Sequence, residues 1–273
     1  MPTEMPIVDW SQLKAHELRA LAAQNAVVIL PIASIEQHGP HLPTMTDTRL
    51  GYEIATRAAR KAYEQRPVVV TPVVWSGLSE HHMPYGGTLT LSHATFRAVI
   101  RDLIEAITRH GFRDILISNS HGGNQIAMQQ ICDELSPTSP ATLVATTYVS
   151  EAGQSLAQYC EDQPGVMHAG EAETSMMLAC EPELVDASNL GGITDGMDGA
   201  GFLKAGKASY RWRPFTAATG NGMAGNPTRA SADKGEKMLE AGAEALAALI
   251  TDPATWAAPA DKRGEGTQGV PFA

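Results

Sequence analysis

Short apolar runs with little polar alternation recur along the chain. Between them lie longer stretches whose apolar residues return at helical spacing. Ala26–Ala33, Pro67–Val74, Asp114–Asn119 and Ala141–Tyr148 are of the first kind. Runs of this length, rich in Val, Ile and Leu, predict strands buried on both faces, as in a parallel sheet. Asp47–Ala62, Ser92–His110, Gly122–Leu135, Gly170–Cys180 and Ala232–Ile250 are of the second kind. Ser92 is placed to cap its helix and Gly111 to stop it. Strand–helix–strand repetition predicts an α/β fold around a mostly parallel sheet.

Two stretches break the rhythm. Asn189–Ala230 is rich in Gly, carries Trp212, Pro214 and Pro227, and has no clear period. Long stretches without a period are uncommon inside compact domains unless functional, so this one is expected to cover the site or meet a neighbouring subunit. The Pro/Gly/charge-rich segment 251–273 is expected to be peripheral, leaving 1–250 as a single domain.

Composition narrows the function classes. Lys plus Arg number 20 against 30 Asp plus Glu, a formal charge of −10. That balance argues against nucleic acid or an anionic membrane surface as the main partner. No apolar run approaches the length of a membrane span. Cys132, Cys160 and Cys180 are odd in number, lack metal-type spacing and follow no secretory leader, which predicts a cytoplasmic protein with reduced thiols.

Chemistry concentrates after the strands. Glu36, His38 and Asp47 fall within 12 residues, straight after the run Ala26–Leu30. Side chains alternate along a strand, so Glu36 and His38 can point the same way, and a short Gly/Pro turn can return Asp47 beside them. Oxygen and nitrogen ligands converging at a strand end suggest a divalent cation of the Zn, Mn or Fe kind. His121-Gly122-Gly123-Asn124 follows the third run, and ligands of open α/β sheets gather at the carboxyl ends of strands. His168-Ala169-Gly170-Glu171-Ala172-Glu173 opens a helix, where Glu171 sits in a favourable field as a further ligand. Ser76, Ser79 and His81, after the second run, are candidate substrate contacts. Gly222–Pro227 reads as a structural turn, His41 and His93 as structural, and His82 is left open. Taken singly, each histidine is more often a solvent-facing or hydrogen-bonded side chain than a ligand. Ligand-type residues after several separate strands favour the metal.

These motifs, in order over about residues 25–240, resemble the creatininase family of metal-dependent amidohydrolases. The matching segments are Pro31-x-x-Ser34-x-Glu36-Gln37-His38-Gly39-Pro40-His41-Leu42-Pro43, Thr46-Asp47-Thr48, Ser79-Glu80-His81, Gly87-Thr88-Leu89, Asn119-x-His121-Gly122-Gly123-Asn124, His168-Ala169-Gly170-Glu171-x-Glu173-Thr174-Ser175 and Gly222-x-x-Gly225-Asn226-Pro227. The resemblance implies a three-layer sandwich with a central, mainly parallel sheet, assembled as a homohexamer. It also implies two divalent ions per subunit, with Asp47 bridging, Glu36 and His121 on one ion and His38 on the other. Creatinine-hydrolysing members carry Glu two residues after the later His ligand; here that place is Gly123, and Glu171 is the expected replacement. The His-Gly-Gly-Asn and His-Ala-Gly-Glu versions look like branches that include formamidopyrimidine-type deformylases and the peptidase of mycofactocin maturation.

The expected reaction is hydrolysis of a non-peptide C–N bond (cyclic amide, lactam or N-formyl) in a small molecule. His168 would protonate the leaving nitrogen, Glu173 would orient it, and the Gly122 and Gly123 amides would steady the oxyanion. The alternatives are a metallopeptidase trimming a short peptide and a non-catalytic metal or metabolite binder.

Overall fold

The computed structural model describes residues 6–192 and 211–263. Four strands, β1 (Val27–Ile32), β2 (Val68–Val70), β3 (Asp114–Asn119) and β4 (Thr142–Thr147), form one sheet in the order β2-β1-β3-β4, and every pair is parallel. The α-helices are α1 (Ala15–Ala23), α2 (Thr46–Ala62), α3 (His93–Arg109), α4 (Gln125–Leu135), α5 (Tyr148–Glu151), α6 (Gly153–Ala157), α7 (Glu171–Cys180), α8 (Ala232–Thr251) and α9 (Pro253–Trp256).

Strand parity builds three layers. Val27 and Ile29 of β1 join Val68, Val70 and Leu116 in a core with α2, α7 and α8. Val28, Leu30 and Ile32 join Val69, Ile115 and Ile117 in a second core, against Phe96, Ile100 and Ile104 of α3 and Met128 and Ile131 of α4. Successive strand side chains point to opposite faces, so a continuous apolar run feeds both cores. Register aligns Ile32 with Asn119 and Asn119 with Thr147, which brings the carboxyl ends of β1, β3 and β4 level.

The expected strands and long helices are present, and β1, β2 and β3 are buried throughout, whereas the edge strand β4 is only partly buried. The second run was expected to be a strand through Val74, but β2 stops at Val70. Pro72 has no N–H for the ladder, although Thr71 and Val74 still donate to Ile29 and Pro31 of β1. Ser92 caps α3 by accepting from Thr95 N at 3.2 Å, and Gly111 takes φ +98° just past its end. Helix α7 is buried from Glu171 to Met177. It lies so close to α8 that a Cβ on Gly235 would sit 1.9 Å from the Ser175 carbonyl oxygen.

The segment after residue 250 begins by docking, since Trp256 Nε1 donates to Ile250 O at 2.9 Å and the Arg66 guanidinium lies 5.1 Å from its ring centre. Residues 264–273 of that expected tail lie outside the described residues, as do 193–210 of the Asn189–Ala230 stretch. Among the described residues no helix is long and apolar enough to cross a membrane.

Candidate metal centre

The carboxyl ends of β1 and β3 and the first turns of α2 and α7 meet in one buried cluster. Glu36 and His38 follow β1. Gly39, at φ +67°, then reverses the chain, and a Cβ there would strike Met223 at 2.5 Å. The returning segment opens α2, where Asp47 lies in the first turn, a position that favours a carboxylate. His121 lies two residues past β3. Asn119 fixes it from both sides, accepting from His121 N at 3.1 Å and donating to His121 O at 2.6 Å.

Two groups of ligand atoms share Asp47. In one, His121 Nδ1 lies 3.0 Å from Glu36 Oε2 and 3.2 Å from Asp47 Oδ2. In the other, His38 Nε2 lies 3.3 Å from Asp47 Oδ1 and 3.6 Å from Glu173 Oε2. Each of these triplets could hold a cation, and a third, overlapping triplet is Glu36, His38 and His168. Both ligand histidines are oriented from behind. His38 Nδ1 donates to Glu36 O at 3.1 Å, and His121 Nε2 donates to Leu78 O at 3.1 Å, which leaves Nε2 and Nδ1, respectively, facing the cluster.

The donor set fits divalent cations. Glu36, Asp47 and Glu173 are 1%, 4% and 8% exposed, and three carboxylates so buried and so close need positive charge. His38 Nε2 and Asp47 Oδ2 are buried and make no well-directed hydrogen bond, facing only opposite charges at 3.2–3.6 Å, an arrangement that suits a bound ion. The titration equilibria report the same strain. Burial opposes a charge on His38, but Asp47, Glu173 and Glu36 outweigh it and raise the ring to about 10. Burial likewise opposes a charge on His121, and Glu36 and Asp47 raise it well above its ordinary value. Burial raises Glu173 to about 7, with Asp47 and Glu36 adding to the effect against the pull of His38.

Of the residues singled out in the sequence, Glu36, His38, Asp47, His121, His168 and Glu173 come together. Glu171 does not, which corrects its place among the ligands. Its carboxylate accepts from Lys234 Nζ at 2.6 Å and from Glu161 N at 2.8 Å. Glu171 and Glu173 are about 200° apart around a helix, so Glu173 takes the inward place. Ser76 and Ser79 also differ from the expected substrate contacts. Ser76 Oγ donates to Leu89 O at 2.7 Å, while Ser79 Oγ donates to Glu36 Oε2 at 2.7 Å and supports a ligand. Gly123 sits behind His121, where a Cβ would lie 2.3 Å from Leu78 O and 2.4 Å from His121 Nε2. That backbone seats no glutamate. Gly122 and Gly123 are both exposed.

His81 is half-buried, its ring stacked 5.7 Å from that of His121. His41 is structural, bonded through Nε2 to Thr174 Oγ1 at 2.8 Å.

Sequence reasoning left out two residues of the site. His82 is buried with Nε2 3.3 Å from Glu36 Oε1. Gln37 lies between the two ligands of its motif and reaches His82, His168 and Gly222. Burial lowers His168 to about 3 and drives His82 lower still. From the Asn189–Ala230 stretch, the ring of Phe215 covers these two, with centroids 4.6 Å from His82 and 5.1 Å from His168. The Gly222–Pro227 turn is also part of the frame, since Ala224 N donates to His168 O at 2.9 Å.

Residues 11–250 match the family model described as Creatininase, creatinine amidohydrolase. The mycofactocin precursor peptide peptidase of Mycobacterium ulcerans is 28% identical over 236 residues, covering 84% of this chain and 85% of that protein. The 3-dehydro-scyllo-inosose hydrolase of Thermotoga maritima is 28% identical over 264 residues, covering 90% and 83%. A solved structure titled Creatininase Mn superposes with a TM-score of 0.71 at 26% identity, covering 89% of this chain and 97% of that one.

Proposed function

The chain belongs to the creatininase family of amidohydrolases, and on that premise we propose that it hydrolyses a non-peptide C–N bond of a small molecule at a two-cation centre. The carrying observation is the carboxylate of Asp47, shared by two three-residue ligand groups. Glu36, Asp47 and His121 would hold one ion, and His38, Asp47 and Glu173 the other. Bound Zn, Mn or Fe supplies acidification of water and polarisation of a carbonyl.

The protein's own groups handle the protons. His168 Nε2 lies 2.9 Å from Gln37 O, so its proton points away from the cluster and its Nδ1 lone pair faces inward, 3.6 Å from Glu36 Oε1. A neutral His168 therefore takes a proton from the attacking water before handing it to the leaving nitrogen. Phe215 packs over the two imidazoles at 4.6 and 5.1 Å, which supports a compact cyclic amide, lactam or N-formyl substrate. The large exposed side chains Trp75 and Leu89, at 53% and 55% exposure, support assembly into the homohexamer, which light scattering tests.

Elemental analysis of protein purified without chelator, followed by a panel of lactams, N-formyl amines and short peptides, tests the reading. Two cations per chain and turnover of a lactam or N-formyl compound are expected, with both cations and turnover lost in Asp47→Ala. Turnover confined to peptides would transfer the assignment to peptide trimming, and a wild-type chain holding no cation would end it.

A further inference from the structure

The side chain of Gln37 occupies a position from which hydrogen-bond chemistry can be read without ambiguity. Gly39 N approaches its amide oxygen at 3.0 Å, and Gly222 O approaches its amide nitrogen at 2.9 Å. A backbone N–H only donates and a carbonyl only accepts, so the two contacts fix which end of the amide is which. The space is also closed, for a Cβ on Gly222 would lie 2.0 Å from Gln37 Oε1.

Two imidazoles compete for the second amide hydrogen. His82 Nδ1 is 2.7 Å from Gln37 Nε2, and His168 Nε2 is 3.1 Å from it. His168 Nε2 already lies 2.9 Å from the Gln37 backbone carbonyl, which obliges that nitrogen to carry hydrogen. It therefore cannot accept, and the second amide hydrogen goes to His82. His82 Nδ1 is then the acceptor and its hydrogen is on Nε2. Both rings are the Nε2–H tautomer, yet they face the cluster by opposite edges. His82 directs Nε2–H at Glu36 Oε1 from 3.3 Å, while His168 directs the bare Nδ1 at the same oxygen from 3.6 Å. The rings stack, with centroids 4.5 Å apart.

We infer that Gln37 is a positioning residue whose amide holds His82 as a resident N–H donor beside the resident acceptor His168, so the site carries a donor and an acceptor side by side. This rests on the hydrolytic reading for its use in turnover, but not for its geometry. The donor of His82 orients the Glu36 carboxylate from 3.3 Å. His168 is held by a backbone carbonyl, which no side-chain substitution removes, and so provides an internal control.

The test is 15N NMR of the full chain labelled in histidine and loaded with zinc, with His82→Asn and His168→Asn spectra to assign the two rings. Wild-type protein should show Nε2–H and a bare Nδ1 for both. In Gln37→Met, which keeps the length of the side chain but donates nothing, His82 should lose that single signature while His168 keeps it. On the lactam or N-formyl amine that the wild-type protein turns over, kcat should fall about 10- to 100-fold with bound zinc unchanged. Gln37→Met in a His82→Gln background should cost no more.

An Nδ1–H His82 in wild type would overturn the inference, and so would a His82 spectrum indifferent to Gln37→Met. The wild-type measurement stands even if the variant fails to fold. If no amide is turned over but the tautomers are as stated, the hydrolytic reading has failed and the positioning role has not.

Discussion

Loading this cluster with zinc should expel protons in a number set by its geometry. His38 Nε2 and His121 Nδ1 are the atoms a cation needs, and each faces two carboxylates at 3.0–3.6 Å. Burial disfavours charge on both rings, but the acids prevail. They hold His38 at about 10 and His121 well above its usual value. An ordinary imidazole, with a pKa of about 6.5, is almost wholly neutral at pH 8 and would release next to nothing. These two should release about two protons per chain as both sites fill. For His38 the displacement at pH 7, about three pH units below its value, costs about 4 kcal/mol, which is subtracted from the intrinsic affinity of that site.

Glu173, buried beside Asp47 and raised to about 7, adds to the release as the solution becomes more acidic, toward about three protons below pH 6. Isothermal titration with zinc, repeated in buffers of different ionisation enthalpy, reads the number directly. Glu173→Gln should abolish the extra proton at pH 6 together with one zinc equivalent. Release of less than about half a proton at pH 8 would refute the reasoning, because the imidazoles would then be free of the carboxylates that define the site.

The metal-free protein should lose thermal stability as the pH rises. The His38 contribution is fully present below pH 6.5 and disappears as the pH passes through about 10; that of Glu173, raised from 4.5, disappears through about 7. Glu36, lowered well below 4.5, works in the opposite direction but only in acid. Circular dichroism melts between pH 6.5 and 10 check this, and a rising Tm would contradict it. Gly123→Ala should cost about 1–3 kcal/mol by overpacking, since the new Cβ meets Leu78 O at 2.3 Å; chemical denaturation measures the loss and calorimetry the weakened zinc affinity. Lys234→Met should destabilise the fold by about 1–3 kcal/mol, because it leaves the buried Glu171 carboxylate with the Glu161 N–H but without its cation. Two zinc equivalents should remain, and loss of either would return Glu171 to the ligand set.

Much of the fold is written in local pattern. Apolar runs buried on both faces can serve only a covered sheet, and the parity that sends Val27 to one core and Val28 to the other follows from strand geometry alone. What was hidden depended on single residues or weak faces. Pro72 ends β2 early although the apolar run continues. Helix α1 has no clear sequence signal, for among its residues only Leu21 is buried, too little for a helical stripe to stand out.

The site divides along the same line, between residue types and residue directions. Glu, His and Asp after several strands are uncommon enough together to suggest a metal chemistry, whichever way each points. Direction is another matter. Glu171 and Glu173 are alike in the sequence, and their opposite fates depend on the rotation of α7, which no local signal reports. That rotation is set from a distance by the close seat of Gly235 on Ser175 O and by Lys234, 63 residues away, capturing Glu171. His81 and His82 pose the same problem in a tight turn. His82 turns inward because Gln37 offers it a hydrogen and Phe215 covers it. A carboxylate or imidazole becomes a ligand or a proton carrier only when its alternatives are taken up. In this chain the groups that take them up (Lys234, Gln37, Phe215) lie outside the metal-ligand set, and Lys234 and Phe215 lie far along the chain from the residues they direct.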